Sequence, residues 1–259
     1  MLFRQFFLFI SLAWYIQCCG DENSIKEYLR IYERYPNLIQ SVGDFSQGEI
    51  QVVTDPDVMA SIEKMTSREV GVLKQDRYWI WVNDACIFAN GKQGVYGRIL
   101  WQKSLEGIPG VAVMAVTDDG KIGLNCNFRH ATRSWEIELP RGGVNLGEDI
   151  ESAARREVAE ETGMKVAELV LLGEMTPDTG ISNSVIPIYM AKVESLHAAE
   201  CDDSEAIEQI IFLTVPEIKK AFLQGFYELC LRGQVKHIPF RDPFLAYAIL
   251  MYELKNECR

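Results

Sequence analysis

The chain has 259 residues, with 26 Lys+Arg against 37 Asp+Glu, a formal net charge of −11. A nucleic-acid binder displaces counterions from phosphates with a basic footprint, and here the basic residues are outnumbered and form no cluster, which counts against that partner. A hydrophobic content of 48% with 10% aromatic residues is ample for a packed core and argues against disorder, and the length suits one large domain or one and a half.

Met1 to Arg4, followed by the apolar run Phe6 to Ile16, has the charged lead and short apolar core of a signal peptide, and the run is too short to span a bilayer. The residues that follow, Gln17-Cys18-Cys19-Gly20, make a poor cleavage site and a poor lipoprotein signal. Export or membrane anchoring through residues 1–20 therefore stands beside two plainer readings, a helix packed on the domain or a start codon assigned too far upstream. The seven cysteines include no CxxC pair and no His at metal-ligand spacing, so they read as reduced and mostly buried thiols. A reducing compartment, the cytoplasm, is the expectation.

Residues 21–75 look partly helical, with Ile25, Tyr28, Leu29, Ile31 and Tyr32 near helical spacing before Tyr35-Pro36 interrupts them. They read as an N-terminal extension to which no function attaches, ahead of a main domain at 76–259. Strand signals then take over. Tyr78 to Phe88 and Val95 to Trp101 flank an Asn90-Gly91 turn, and Gly110 to Val116 and Lys121 to Phe128 form a second hairpin. Further strands are predicted at Trp135 to Leu139, Ala167 to Met175, Val185 to Val193 and Gln209 to Leu213, with helices at Asp149 to Thr162, Pro216 to Leu223 and Pro243 to Asn256. Strands interleaved with three helices, and no regular βαβ alternation, predict an α/β (α+β) sandwich around a mixed sheet.

The informative stretch runs from Gly142 to Met164. Asp149 is placed to cap a helix whose apolar stripe is Ile150, Ala153, Ala154 and Val158, and Gly163 to end it in the left-handed conformation. Glu157, Glu160 and Glu161 stand at i, i+3 and i+4, so they leave from one turn. Their mutual repulsion, near a helix C-terminus whose dipole already disfavours anions, calls for a cation to neutralise them. Hard oxygen ligands at this density suit Mg²⁺ or Mn²⁺ bridging to a phosphate. The plainer reading is a solvated acidic face.

The spacing Gly142-x5-Glu148-x7-Arg156-Glu157-Val158-x-Glu160-Glu161-x-Gly163-Met164 fills every fixed position of the Nudix box. The chain thus resembles a Nudix hydrolase from about Arg77 to Asn256. The resemblance implies an α/β/α sandwich and Mg²⁺-dependent hydrolysis of a nucleoside diphosphate linked to another moiety. It implies Glu157 and Glu161 as principal metal ligands, Glu160 as an additional one and the backbone carbonyl of Arg141 completing the sphere. Gly142, Glu148, Arg156 and Gly163 are its structural positions, with Glu148 and Arg156 pairing to hold the loop on the helix.

Asn127-Phe128-Arg129-His130 and Trp135 to Gly143 resemble the ADP-ribose pyrophosphatase branch, which implies that Arg129 contacts the substrate's phosphates and that the enzyme is a homodimer pairing strands near Tyr78 to Trp101. The chain departs from that branch in the early position of Pro177 and in having Ser182-Asn183-Ser184 where some members place a glutamate. A loop before the strand at Gln209 supplies a further carboxylate in this branch. Among Glu200, Asp202, Asp203, Glu205 and Glu208, Glu205 is the expected general base, sharing the catalytic role with Glu161, and Asp203 and Glu208 are its rivals. The leading substrate is ADP-ribose. GDP-mannose or UDP-glucose is the alternative within the class, and a non-catalytic nucleotide sensor on the same fold is the alternative outside it. The six acids against two arginines in Gly142 to Met164, and the five acids in Glu200 to Glu208, account for most of the net charge.

Overall fold

The computed structural model describes residues 22–197 and 206–257. The expectations for residues 1–20 and for Glu200, Asp202, Asp203 and Glu205 lie outside the described residues. The chain forms two compact units, one of residues 22–106 with Asp178–Asn183 and one of Gly107–Pro177 with residues 184–257. The division falls at Glu106/Gly107 rather than near residue 75, because the strands at 79–101 build one sheet with the segments before them.

In the first unit, α1 (Glu22–Arg34), α2 (Pro56–Thr66) and the short α3 (Gln102–Leu105) accompany a four-stranded sheet of β1 (Gln51–Val52), β2 (Gly71–Gln75), β3 (Trp79–Ile87) and β4 (Gln93–Trp101). Strand β3 pairs with β4 along one edge and with β1 and β2 along the other, all antiparallel. Alternation sorts its side chains: Ile80 and Val82 join Tyr28, Tyr32, Met59 and Ile62 in the core, while Trp79 and Trp81 stand about half exposed and Trp79 stacks on Trp101. Asp84, on the core-facing register, accepts hydrogen bonds from the Tyr28 hydroxyl and from Arg98 (Nε to Oδ2, 2.5 Å), and the Tyr28 hydroxyl also reaches that of Tyr32 at 3.0 Å. This buried cluster ties α1 to the sheet. Burial, reinforced by the charge of Asp84, also pushes the Cys86 thiol up to about 12, so Cys86 is an inert core residue. Removing Asp84 strands a part-buried guanidinium and two phenols, so Asp84→Ala is expected to destabilise this unit by about 3–5 kcal/mol. Urea unfolding followed by tryptophan fluorescence measures it, and a loss under about 1 kcal/mol would show that the cluster does not hold α1.

The second unit is built on a seven-stranded mixed sheet, ordered β11 (Ile207–Leu213), β6 (Ile122–Arg129), β5 (Gly110–Val116), β10 (Ile186–Leu196) and β9 (Met164–Met175), with β7 (Ser134–Glu138) on β6 and β8 (Arg141–Gly143) on β5. Strands β5 and β10 run parallel and the other pairs are antiparallel. Residues on both faces of β5 are buried, so both faces need cover. Helix α4 (Ile150–Thr162) packs Ala153, Ala154 and Val158 on Val111, Val113 and Ala115. Helix α6 (Pro243–Glu257) contacts β9, β10 and β5. The unit also contains α5 (Val215–Gln224), opened by a Thr214/Glu217 capping box, and an exposed hairpin of β12 (Phe226–Leu231) and β13 (Gln234–Pro239).

One irregularity of this sheet positions the site. Strands β5 and β6 pair only at Ala115/Gly123 and Val116/Ile122 and then diverge. The segment β7-Pro140-β8 fills the gap, pairing β7 to β6 and β8 to β5, with the Val113 amide donating to the Pro140 carbonyl at 2.9 Å. Arg141 and Gly142 are thereby laid beside α4.

Candidate active site

Helix α4 begins and ends as its sequence dictates. The Asp149 carboxylate accepts from the Ser152 amide at 2.9 Å, and Gly163 adopts φ 68°, its amide donating to the Ala159 carbonyl at 2.9 Å. With the apolar stripe fixed on β5, Glu157 and Glu161 point inward and are 7% and 1% exposed, whereas the Glu160 side chain is 44% exposed. Gly142 is explained by packing. A Cβ there would lie 2.2 Å from the Glu157 carboxyl carbon and from both its oxygens.

Arg156 gathers the acidic groups around it. Its Nε donates to Glu148 Oε1 at 2.9 Å, Nη2 to Glu148 Oε2 at 3.0 Å and to the Gly143 carbonyl at 2.8 Å, and Nη1 to Glu157 and Glu160 at 2.8 Å each. The guanidinium holds the Glu148 carboxyl below the usual carboxylate range, and the same bonds raise the Arg156 pKa further above its already high value. Part of the neutralisation that the three glutamates require is therefore supplied by Arg156 itself.

Glu161 is held differently. The Arg141 backbone amide donates to its Oε2 at 3.1 Å, and the Asn125 amide nitrogen donates to the same oxygen. The Arg141 side chain turns away, to Glu138 at 2.5 Å and Asp242 at 3.4 Å, and Glu138 also accepts from Arg129 Nε at 2.5 Å. Asp242 is buried, which raises its pKa against the pull of Arg141 and the backbone amides. It accepts from the amides of Leu139 (3.0 Å) and Phe244 (3.3 Å), so one carboxylate both opens α6 and anchors the segment before β8. Glu138, likewise, is raised chiefly by burial.

Asn125, Glu138 and Asp242 escape a reading of the sequence because each acquires its role from a distant partner. The available signal is the alternation Asn125-Cys126-Asn127-Phe128-Arg129 opposite Glu136-Ile137-Glu138. Cys126 and Ile137 enter the apolar core, while Asn125, Asn127, Glu136 and Glu138 are buried polar residues of the alternate register. A buried polar lane on two paired strands is costly unless satisfied, and so marks a site. The Asn125 Oδ1 is buried and has no hydrogen-bond partner among the described residues, a condition worth about 1–3 kcal/mol.

The donor chemistry fits a hard divalent cation. Two buried carboxylates, Glu157 and Glu161, together with the backbone carbonyl of Arg141, would hold Mg²⁺, which keeps several waters and takes few protein ligands. Glu160 is directed to Arg156 instead, and among the described residues no three His, Cys, Asp or Glu side chains gather as a ready metal-binding set. Of the loop carboxylates, Glu208 is the described one, and Arg232 holds it in an exposed ion pair of 2.7 Å.

The NUDIX domain family model matches residues 108–230. The chain is 29% identical over 204 residues to the ADP-ribose pyrophosphatase of Bacillus subtilis (strain 168), covering 76% of this chain and 97% of that relative. The chain thus carries a NUDIX domain and resembles the Nudix hydrolases. The chain is also similar to the ADP compounds hydrolase NudE of Escherichia coli (strain K12), 25% identical over 150 residues that cover 58% of this chain and 78% of the relative. Its fold matches a crystal structure of an ADP compounds hydrolase with a TM-score of 0.53 at 19% identity, over 73% of this chain and 93% of that one. Among the described residues no helix is long and apolar enough to cross a membrane.

Proposed function

We propose that this protein is a Nudix hydrolase that cleaves the pyrophosphate bond of a nucleoside diphosphate linked to a sugar, with Mg²⁺ (or Mn²⁺) as cofactor, and that ADP-ribose is converted to AMP and ribose 5-phosphate. The observation that carries this is the pair Glu157 and Glu161, buried side by side on α4 against Arg141, in a chain that aligns with nearly the full length of an ADP-ribose pyrophosphatase. The cation supplies positive charge against the pyrophosphate and lowers the pKa of a bound water. The chain's own residues do the rest. Glu157 and Glu161 hold the cation, and Arg156 braces Glu157 against the Gly143 loop. Arg129, its Nε on Glu138 and its side chain 34% exposed, offers its remaining N–H groups to a phosphate.

Glu205 takes the proton from the attacking water as general base. The pairing of β11 with β6, Ile207 opposite Asn127 and the Phe128 amide on the Ala206 carbonyl at 3.1 Å, supports this, since the chain leaving Glu205 runs beside the strand of Arg129. Subunit pairing through the half-exposed Trp79 and Trp81 face belongs to the same reading, and light scattering of the purified protein tests it.

Release of AMP from ADP-ribose, compared under Mg²⁺ with hydrolysis of GDP-mannose and UDP-glucose, tests the assignment. Preference for a nucleotide sugar would move the substrate within the class. No hydrolysis of any nucleoside diphosphate derivative would leave a nucleotide sensor. Arg129→Ala is expected to raise KM for the preferred substrate by about tenfold or more with a smaller change in kcat, the pattern of lost ground-state binding. An unchanged KM would remove Arg129 from the phosphate site.

A further inference from the structure

The Asn125 side chain lies in the interior of the second unit, 2% exposed, on the register of β6 that faces α4. Its two amide ends differ in state. One meets the Glu161 carboxylate, and the other is buried without a partner among the described residues. Chemistry assigns the ends: a carbonyl turned to a carboxylate would set two acceptors against each other, so the nitrogen must face Glu161. The oxygen is thereby fixed, and rotation about the side chain cannot satisfy it without breaking the bond to Glu161. A buried acceptor locked in this way, beside a carboxylate assigned to a divalent cation, is matched to a donor that arrives with the cation.

We propose that Asn125 is a positioning residue of this site: its amide nitrogen orients Glu161, and its amide oxygen accepts a hydrogen bond from a water of the cation's hydration shell. The inference rests on the reading of Glu161 as a metal ligand. Mg²⁺ retains waters when protein bound, and every such water is a donor seeking an acceptor in the surrounding shell. Asn125 is suited to that place because it is neutral. It adds no charge to a site already crowded with Glu157, Glu160 and Glu161, yet presents an oxygen. Outer partners of this kind change metal affinity by about 10–100-fold when removed.

The test is a titration of the full chain with Mn²⁺ in the absence of substrate, reading unbound Mn²⁺ by electron paramagnetic resonance, alongside the melting temperature of the metal-free protein. Asn125→Leu removes both amide ends at similar shape. It is expected to weaken Mn²⁺ binding by about tenfold or more while the metal-free melting temperature changes little, because loss of the bond to Glu161, whose Oε2 keeps the Arg141 amide, is offset by removal of the unsatisfied oxygen. Asn125→Asp, which sets a second carboxylate against Glu161, is expected to melt lower without metal and to recover with Mn²⁺. Glu161→Gln is titrated in parallel. If it weakens Mn²⁺ binding and Asn125→Leu stays within about twofold of the parent, the proposal for Asn125 fails and the metal centre stands. If Glu161→Gln also binds Mn²⁺ as the parent does, the reading of the centre itself fails. Should Asn125→Leu not fold, Asn125→Asp decides: a metal-free melting temperature equal to the parent's, with no added response to Mn²⁺, overturns the proposal.

Discussion

Glu161→Gln is expected to lower turnover by at least about two orders of magnitude, some 2.7 kcal/mol of transition-state stabilisation, with the protein still folded. The substitution is nearly isosteric, and the amide oxygen of glutamine still accepts from the Arg141 backbone amide and from Asn125. What disappears is a full negative charge at a position 1% exposed. A buried carboxylate is expensive to desolvate, so its removal alone does not unfold the chain, and the metal-free melting temperature should hold. Under the proposed function the loss therefore falls on the step that needs the charge, the holding of a divalent cation at the pyrophosphate. Steady-state rates at saturating substrate and Mg²⁺, beside a thermal melt, separate the two effects. Activity near that of the parent would overturn the assignment of Glu161.

Gly142→Ala is expected to be almost as damaging, by a different route. The added methyl would stand 2.2 Å from three atoms of the Glu157 carboxyl, far inside contact distance. Either β8 or Glu157 must move. Strand β8 is pinned between β5 and the Asp242 anchor, so Glu157 yields, with a stability loss of about 1–3 kcal/mol and a fall in activity comparable to removal of the carboxylate. A double-mutant cycle isolates the cause. Gly142 has no positive φ, so in a Glu157→Ala background, where the struck atoms are gone, Gly142→Ala should cost almost nothing. Equal costs in the two backgrounds would show that the glycine serves backbone conformation instead.

The legible parts of this protein are those whose partners lie close in sequence. The helix carrying Glu157, Glu160 and Glu161 is announced by its cap, stripe and terminal glycine, all within one stretch, and the structure reproduces it from Ile150 to Thr162. The strands from Gly110 to Val116 and from Trp135 onward follow from alternation and turn chemistry in the same way. The hairpin of β12 and β13 escapes notice because its turn uses Arg232 at φ 50° before Gly233, and its second strand is exposed from Gln234 to His237 and buries Ile238. Asp84 reads as one more polar residue in a β-rich run until Tyr28, fifty-six positions earlier, is folded onto it. Asn125 and Asp242 acquire meaning only through Glu161, Leu139 and Arg141, and a tertiary contact of that range leaves no periodicity in the chain.

The anchoring of the loop before the box by Asp242 bears on when the protein becomes active as it is made. Synthesis runs from the N-terminus, and the box is complete at Met164, while the carboxylate that fixes Leu139 and Arg141 arrives at position 242 and is itself ordered by the first turn of α6. A nascent chain in which Glu157, Glu160 and Glu161 have emerged and Asp242 has not thus lacks the anchor of the segment before β8. Premature termination ahead of α6 would yield a polypeptide that carries the whole motif without the carboxylate that anchors the segment in front of it.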